Sequence, residues 1–267
     1  MIGMGDGISV EQRAGIGSQT TQIGNQNNYY GLSPQEACNM TIQLFYDNFP
    51  KLQEAANEVV RERVNELMGE IAQKIEERKL GDMSPFGDPD VQYAVYEAQK
   101  NYARFGTKEM MSSLSELVAH RIQHNDEGCC LKVTIDKAIE LVPSLTPGQL
   151  DLLSLFFWCY KVGLPLIRDL NELKAHLDAL SSIFKNADFN SVSYLNMLGC
   201  LELCINDPVV CYSKRYGFPK EDIESICPEM IRKTAGSYTT SYVGTILAIV
   251  NSESKINTKI DPCTWIY

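Results

Sequence analysis

Apolar residues recur every three or four positions over most of the chain, which is the spacing that gives an α-helix one apolar face. The longest run predicts a helix over residues 51–79, with a stripe formed by Leu52, Ala55, Val59, Val60, Val64, Leu67, Ile71 and Ile75. Pro50 is expected to end a helix that begins near residue 34. Similar stripes predict helices at residues 89–105, 107–124, 131–142, 147–160, 169–186 and 190–204.

Capping residues support several of these boundaries. Ser33 and Glu36 have the spacing of a capping box, and Asp88 and Thr146 each precede a proline that suits the first helical position. Gly106 follows the stripe of its helix, where a left-handed residue commonly ends a helix. Local chemistry and apolar spacing therefore predict the same helices.

The amino-acid composition of the chain changes near residue 207, where proline, glycine, tyrosine and β-branched residues become more frequent. The stretch "GSYTTSYVGTILAIVNSES" predicts a short strand, a cap and an amphipathic helix, and the terminal "DPCTWIY" predicts a strand. We expect a mainly α protein: a multi-helix body with a small C-terminal β element and a non-helical, β-prone N-terminal tail. The predicted regions are 1–31, 32–206 and 207–267.

The first 31 residues differ from the rest in composition. They hold seven of the 18 glycines and only three charged residues, and residues 14–31 carry no charge. An uncharged Asn/Gln-rich segment with β-branched residues can stack in register with other copies of itself, because identical amide side chains form ladders. The same composition is also typical of a disordered leader. The residues we expect to mediate assembly are Gln12, Gln19, Gln22, Ile23, Gly24 and Asn25.

Charge and cysteine usage narrow the class of protein. A net charge of −10 makes nucleic acid an improbable partner, because phosphate binding depends on lysine and arginine. The chain has nine cysteines, and several of them lie within apolar helical runs. An odd number in such positions does not predict a disulfide framework. The start has no signal-peptide pattern, and the longest apolar run, residues 150–160, is too short to span a bilayer and contains Asp151. We expect a cytoplasmic protein with reduced thiols and no membrane span.

No catalytic motif is present. The sequence lacks a phosphate-binding P-loop, a GxSxG elbow, an HExxH helix and the GxGxxG spacing. His120 and His124 share a predicted helix face and are followed by Cys129 and Cys130, but adjacent cysteines depart from the usual zinc spacing. We predict neither a cofactor nor a metal, and keep these four residues as the candidates if a metal is bound.

Two other function classes stay open. Asp88, Asp90, Glu97 and Lys100 could form the dispersed site of a metal-dependent nuclease or hydrolase, although caps and surface ion pairs account for them as well. A cysteine nucleophile paired with a histidine has no supporting motif. A regulator with a C-terminal winged-helix-like element is the other alternative, because the region after residue 207 contains the basic residues Lys214, Arg215, Lys220, Arg232 and Lys233.

Two resemblances bear on function. The segment "TQIGNQNN" resembles bacterial amyloid signalling motifs and the core of the RIP homotypic interaction motif, with Thr21 in place of that core's first valine or isoleucine. The stretches "DPDVQYAVYEAQKNYARFG", "LTPGQLDLLSLFF" and "DPCTWIY" resemble a family of uncharacterised bacterial proteins with a Gln/Gly/Asn-rich tail. That resemblance implies a bacterial cytoplasmic protein of anti-phage defence or a related conflict system, and supplies no catalytic residues.

The function we expect is therefore that of a non-enzymatic interaction protein. Its tail would contact other copies of the chain, giving a homo-oligomer, or a partner protein with a similar tail.

Overall fold

A computed structural model of the protein describes residues 34–81, 84–125, 129–163 and 167–266. Within these ranges there are eleven α-helices and one two-stranded sheet, which confirms the mainly α prediction. The elements are α1 (Pro34–Glu77), α2 (Pro89–Phe105), α3 (Lys108–Gln123), α4 (Cys129–Leu141), α5 (Pro147–Tyr160), α6 (Leu170–Ile183), α7 (Val192–Met197), β1 (Leu201–Asn206), α8 (Pro208–Tyr216), α9 (Lys220–Ile226), α10 (Glu229–Arg232), β2 (Gly236–Thr240) and α11 (Tyr242–Ile256).

The described residues divide between Ala55 and Ala56 into two compact units. In the second unit the main core is built around α11, which packs against α3, α4 and α5. Both α5 and α11 are buried over most of their length, and α5 contains the longest apolar run of the sequence, residues 150–160. A smaller cluster joins α5 to α6, α8, α9 and α10.

The predicted caps of α2 and α5 agree with the observed helix ends, whereas Ser33 lies outside the described residues. The Asp88 carboxylate accepts a hydrogen bond from the Asp90 amide at 2.9 Å, and Gly106 ends α2 with a φ of 63°. Thr146 and Gln149 form a complete capping box at the start of α5. These ends are decided by residues within one helical turn, so they can be predicted from local sequence.

The predicted helix over residues 190–204 is wrong in its second half. The helix ends at Met197, Gly199 turns the chain with a φ of 73°, and β1 begins at Leu201. This strand pairs antiparallel with β2, with Leu201 opposite Thr240. The apolar spacing near Cys200 suits a helix, but the pairing partner lies more than 30 residues away in sequence and was invisible to local pattern.

The predicted terminal strand is also wrong. Residues Pro262–Thr264 form a single 3-10 turn, capped by the Asp261 carboxylate, which accepts from the Cys263 amide at 3.0 Å. An Asp-Pro pair favours such a turn because the carboxylate caps it and proline fits its first position. The strand was predicted because the residues of "CTWI" are common in strands, but the Asp261 cap decides the local conformation.

The first helix does not end at Pro50. α1 continues through this proline to Glu77, which corrects the predicted break. A proline inside a helix removes one backbone hydrogen bond and costs about 3 kcal/mol, so other stabilisation must offset it. In the part of α1 that belongs to the first unit, Met40, Ile42, Leu44, Tyr46 and Phe49 are exposed.

Candidate functional site

A network of charged side chains surrounds two buried carboxylates in the second unit. We call it the ion-pair network. It joins the C-terminal end of α1 to α3, α11 and the segment after α11, and its members are Lys74, Arg78, Glu116, His120, Glu253 and Lys259. The carboxylate side chains of Glu116 and Glu253 are 1% and 0% exposed. Burial of charge on this scale is tolerated only where opposite charges and hydrogen bonds surround it.

Glu116 of α3 is the most heavily compensated member. Its carboxylate accepts from Arg78 Nη2 at 2.7 Å and from Lys259 Nζ at 3.0 Å, and Lys74 Nζ lies at 3.2 Å. Burial alone would raise the pKa of Glu116. The hydrogen bonds and charges of Arg78 and Lys259 outweigh burial and lower this pKa to about 2. Glu116 is therefore a fixed anion, which is unsuitable as a general acid near neutral pH.

Glu253 of α11 completes the network. Its Oε2 accepts from Arg78 Nη2 at 2.6 Å and lies 2.9 Å from His120 Nε2, and its Oε1 accepts from the Ile260 amide at 2.7 Å. Both carboxylate oxygens are thus occupied by protein donors. The network thus links the end of α1 to α3, α11 and the segment after α11, and both oxygens of Glu253 have protein partners.

One helical turn beyond His120, a second group of polar side chains meets. His124 caps the C-terminal end of α3, and its ring lies parallel to that of His120 with centroids 5.9 Å apart. His124 Nδ1 is 3.6 Å from Cys263 Sγ. One ligand atom from each of His124, Asp261 and Cys263 lies within 4.8 Å of the others. We call these three residues the His124 cluster.

Of the four metal candidates of the sequence, His124 alone belongs to the group of potential ligands found among the described residues. His120 and His124 are buried, because α11 and the C-terminal segment pack over this face of α3. Cys130 is exposed on α4. The side chain of Cys129 lies outside the described residues. The thiol that reaches His124 is Cys263, which the sequence analysis did not consider.

The signal that could have identified this cluster is faint. Asp261 and Cys263 stand two residues apart after a predicted helix, which is a spacing that brings a carboxylate and a thiol together in a turn. No local pattern connects them to a histidine that is more than 130 residues earlier. Arg78, Glu116 and Glu253 were missed for the same reason.

The residues proposed for a dispersed nuclease site have structural partners. Asp88 caps α2 and accepts from Asn125 at 3.2 Å, and Glu97 forms an ion pair with Lys100 on the same helix. Asp90 lies in the first turn of α2, where a carboxylate suits the helix dipole. Nothing in this geometry gathers the carboxylates around one point.

Cys159, Cys200 and Cys227 are buried, and their thiols are poor nucleophiles. Burial raises the pKa of Cys159 to about 12 and those of Cys200 and Cys227 to about 11. The ring of His176 meets the ring of Trp158 edge-on, and burial together with the charge of Arg215 lowers the pKa of His176 to about 4. A thiol that is protonated at neutral pH does not attack substrates.

The basic residues of the C-terminal region have different surroundings. Arg215 donates to the carbonyl groups of Tyr160 and Val162, and Lys233 pairs with Glu229 on its own helix. Arg232 lines a pocket together with Asp207 and Glu224. Arg215 thus uses its positive charge within the protein, whereas Lys214, Lys220, Arg232 and Lys233 are exposed.

Comparison with known protein families shows which family the chain belongs to. A protein-family model matches residues 31–256, most of the chain, and its description reads only ":-like". The chain belongs to this uncharacterised family. The match includes all of the ion-pair network except Lys259, and it includes His124 but neither Asp261 nor Cys263. No curated protein and no solved structure matches the chain.

The family match begins at residue 31, so it includes α1 but not the predicted assembly residues. Those residues, Gln12, Gln19, Gln22, Ile23, Gly24 and Asn25, lie outside the described part of the chain. In α1 the side chains of Met40, Ile42, Leu44, Tyr46 and Phe49 are 49–69% exposed. Along the described helices, none is long and apolar enough to cross a membrane.

Proposed function

We propose that this family member is a non-enzymatic self-assembly protein, whose copies associate through the N-terminal half of α1 and the segment before it. The observation that supports the proposal is the exposure of Met40, Ile42, Leu44, Tyr46 and Phe49 within ten residues. A helix segment with large apolar side chains on all sides is normally covered, since each such residue gains about 1.5–3 kcal/mol on burial.

The arrangement of charge favours a second copy of the chain as the covering partner. Ile42, Tyr46 and Phe49 lie on one side of the helix, which we call the α1 contact face. At roughly 100° per residue, Asp47, Lys51 and Glu54 fall on the opposite side. Copies with a net charge of −10 repel each other, so they associate most favourably through a face without charge.

Heptad spacing points to the same partner. Ile42 and Phe49 are seven residues apart, and Ala56 follows after seven more. Two copies of such a helix can pack side by side as a short coiled coil, in which Ile42 and Phe49 are buried. Met40 and Leu44 lie on the side of Asp47 and Lys51, outside this seam. Val59 and Val60, each 42% exposed, add apolar surface further along α1.

In this proposal the Gln/Gly/Asn-rich segment extends the assembly. Pairing of α1 would bring two uncharged segments together at high local concentration, which favours stacking of Gln22, Ile23 and Gly24 between copies. The resemblance to bacterial interaction motifs suggests a role in defence, where assembly would follow a trigger. The helical body would position or regulate that contact.

The test is the solution mass of the full chain, measured by light scattering over a range of concentrations. We expect the wild type to form dimers or larger species, and the variant Ile42→Glu/Phe49→Glu to be monomeric with unchanged helical circular dichroism. Val133→Glu and Met197→Glu are matched controls, because they charge exposed apolar residues elsewhere and should preserve the oligomer. A monomeric wild type at all concentrations would overturn the proposal.

A second variant tests the N-terminal segment separately. Replacement of Gln22, Ile23 and Gly24 by alanine should abolish species larger than the α1-mediated dimer and leave the dimer intact. If the distribution of masses does not change, the segment is a leader without a role in assembly.

A further inference from the structure

The His124 cluster combines three types of metal ligand at one point. His124 supplies a ring nitrogen, Asp261 a carboxylate oxygen and Cys263 a sulfur, and these atoms lie within 4.8 Å of one another. Imidazole, thiolate and carboxylate together are typical of a site for Zn²⁺, which binds all three. Calcium and magnesium prefer oxygen ligands and do not suit this set.

The nitrogen-to-sulfur distance has the value expected for two ligands of one tetrahedral ion. Zinc lies about 2.3 Å from sulfur and about 2.0–2.1 Å from nitrogen, so at a tetrahedral angle the two ligand atoms are about 3.5 Å apart. His124 Nδ1 and Cys263 Sγ are 3.6 Å apart. Little movement would be needed for both atoms to bind the same ion.

The surroundings already orient the ligands and favour a cation. Asp261 accepts from the Cys263 amide at 3.0 Å, which holds the carboxylate on the side of the thiol. His124 is at the C-terminal end of α3, where the helix dipole carries partial negative charge. His124 is buried and Asp261 is exposed, so an ion could enter from the solvent side.

We propose that His124, Asp261 and Cys263 bind one Zn²⁺ ion, with water as the fourth ligand. The ion would clip the segment after α11 to the end of α3, next to the ion-pair network. This proposal is independent of self-assembly, because the cluster shares no residue with the α1 contact face. On binding, the Cys263 thiol loses its proton to solvent and coordinates as the thiolate.

The experiment uses the full chain, purified with a chelator and then titrated with Co²⁺ as a spectroscopic substitute and with Zn²⁺ by calorimetry. We expect one equivalent of Co²⁺ to give the visible bands of a tetrahedral site and a sulfur-to-cobalt charge-transfer band. Zn²⁺ should displace it. Cys263→Ser should abolish the charge-transfer band and weaken Zn²⁺ binding at least ~100-fold. Loss of a residue that only hydrogen-bonds to a metal ligand already lowers metal affinity by about 10–100-fold, and Cys263 would be a ligand itself.

Asp261→Asn is the most discriminating variant, because asparagine keeps the oxygen that caps the turn but lacks the charge. It should fold as the wild type does and bind Zn²⁺ more weakly. Cys130→Ser removes an exposed thiol and should leave binding unchanged. Equal affinity of wild type and Cys263→Ser, an octahedral cobalt spectrum, or loss of the site in Cys130→Ser would each overturn the proposal.

Discussion

Glu116 of α3 and Glu253 of α11 bind the same nitrogen of Arg78. The Nη2 atom donates to Glu116 at 2.7 Å and to Glu253 at 2.6 Å, so one guanidinium joins the end of α1 to two other helices. Two carboxylates this deeply buried would repel each other without the cation between them. Arg78 therefore lies between the two buried carboxylates, and Lys74, Lys259 and His120 add further contacts to them.

The first prediction concerns that arginine. Arg78→Met should lower the free energy of unfolding by about 3–5 kcal/mol, because it leaves two buried carboxylates without their main partner. Denaturant unfolding followed by circular dichroism measures the change. Arg61→Met is the matched control: its side chain is 76% exposed and its ion pair with Glu58 spans 3.9 Å. The control should change stability by less than about 0.5 kcal/mol, and an equal loss in both variants would contradict the role of Arg78.

The second prediction is a pH dependence. The native pKa of Glu116 is about 2, below its ordinary value of 4.5, so the unfolded chain binds this proton more readily. The stability it contributes is fully present above pH 4.5 and is lost as the pH falls towards 2. Over that range the wild type should lose about 3 kcal/mol more than Glu116→Gln. Parallel stability curves for the two proteins would exclude the low native pKa.

The third prediction tests the contact between α11 and β1. A methyl group on Gly244 would lie 1.9 Å from the backbone oxygen of Cys200, which cannot move without shifting the start of β1. Gly244→Ala should therefore destabilise the protein by about 3 kcal/mol or more. Gly69→Ala, in a part of α1 where nothing lies within 4 Å of the new methyl, should stabilise it by about 0.5–1 kcal/mol. Thermal melts of both variants provide the measurement, and the same sign of change in both would refute the prediction.

The fourth prediction concerns thiol reactivity. Cys159, Cys200 and Cys227 are buried, and their pKa values are raised to about 12, 11 and 11. At neutral pH these thiols should resist alkylation in the native protein, whereas the exposed Cys38 and Cys130 should react. Mass spectrometry after brief treatment with iodoacetamide, with and without denaturant, gives the order. Native labelling of Cys159 as fast as Cys130 would show that the core opens readily.

Local sequence determined most of the helices. The apolar face of α2 and its Asp88 cap, or the Thr146 capping box of α5, depend on residues within one or two turns, and they could be located from spacing alone. The mainly α class could be predicted as well, because apolar residues recur at helical spacing in nearly every segment. The continuation of α1 through Pro50 was missed, since a proline normally ends a helix unless other contacts offset its cost.

Tertiary structure decided the remainder. β1 became a strand because β2 supplies its hydrogen bonds, and the ion-pair network formed because packing of α1, α3 and α11 brings Arg78, Glu116 and Glu253 together. His124 meets Cys263 for the same reason. The spacing of apolar residues and the capping residues involve only one or two helical turns, whereas these contacts join residues that are far apart in sequence. The single sequence therefore determined which segments are helical, and only the packed structure decided which charged and metal-binding side chains meet.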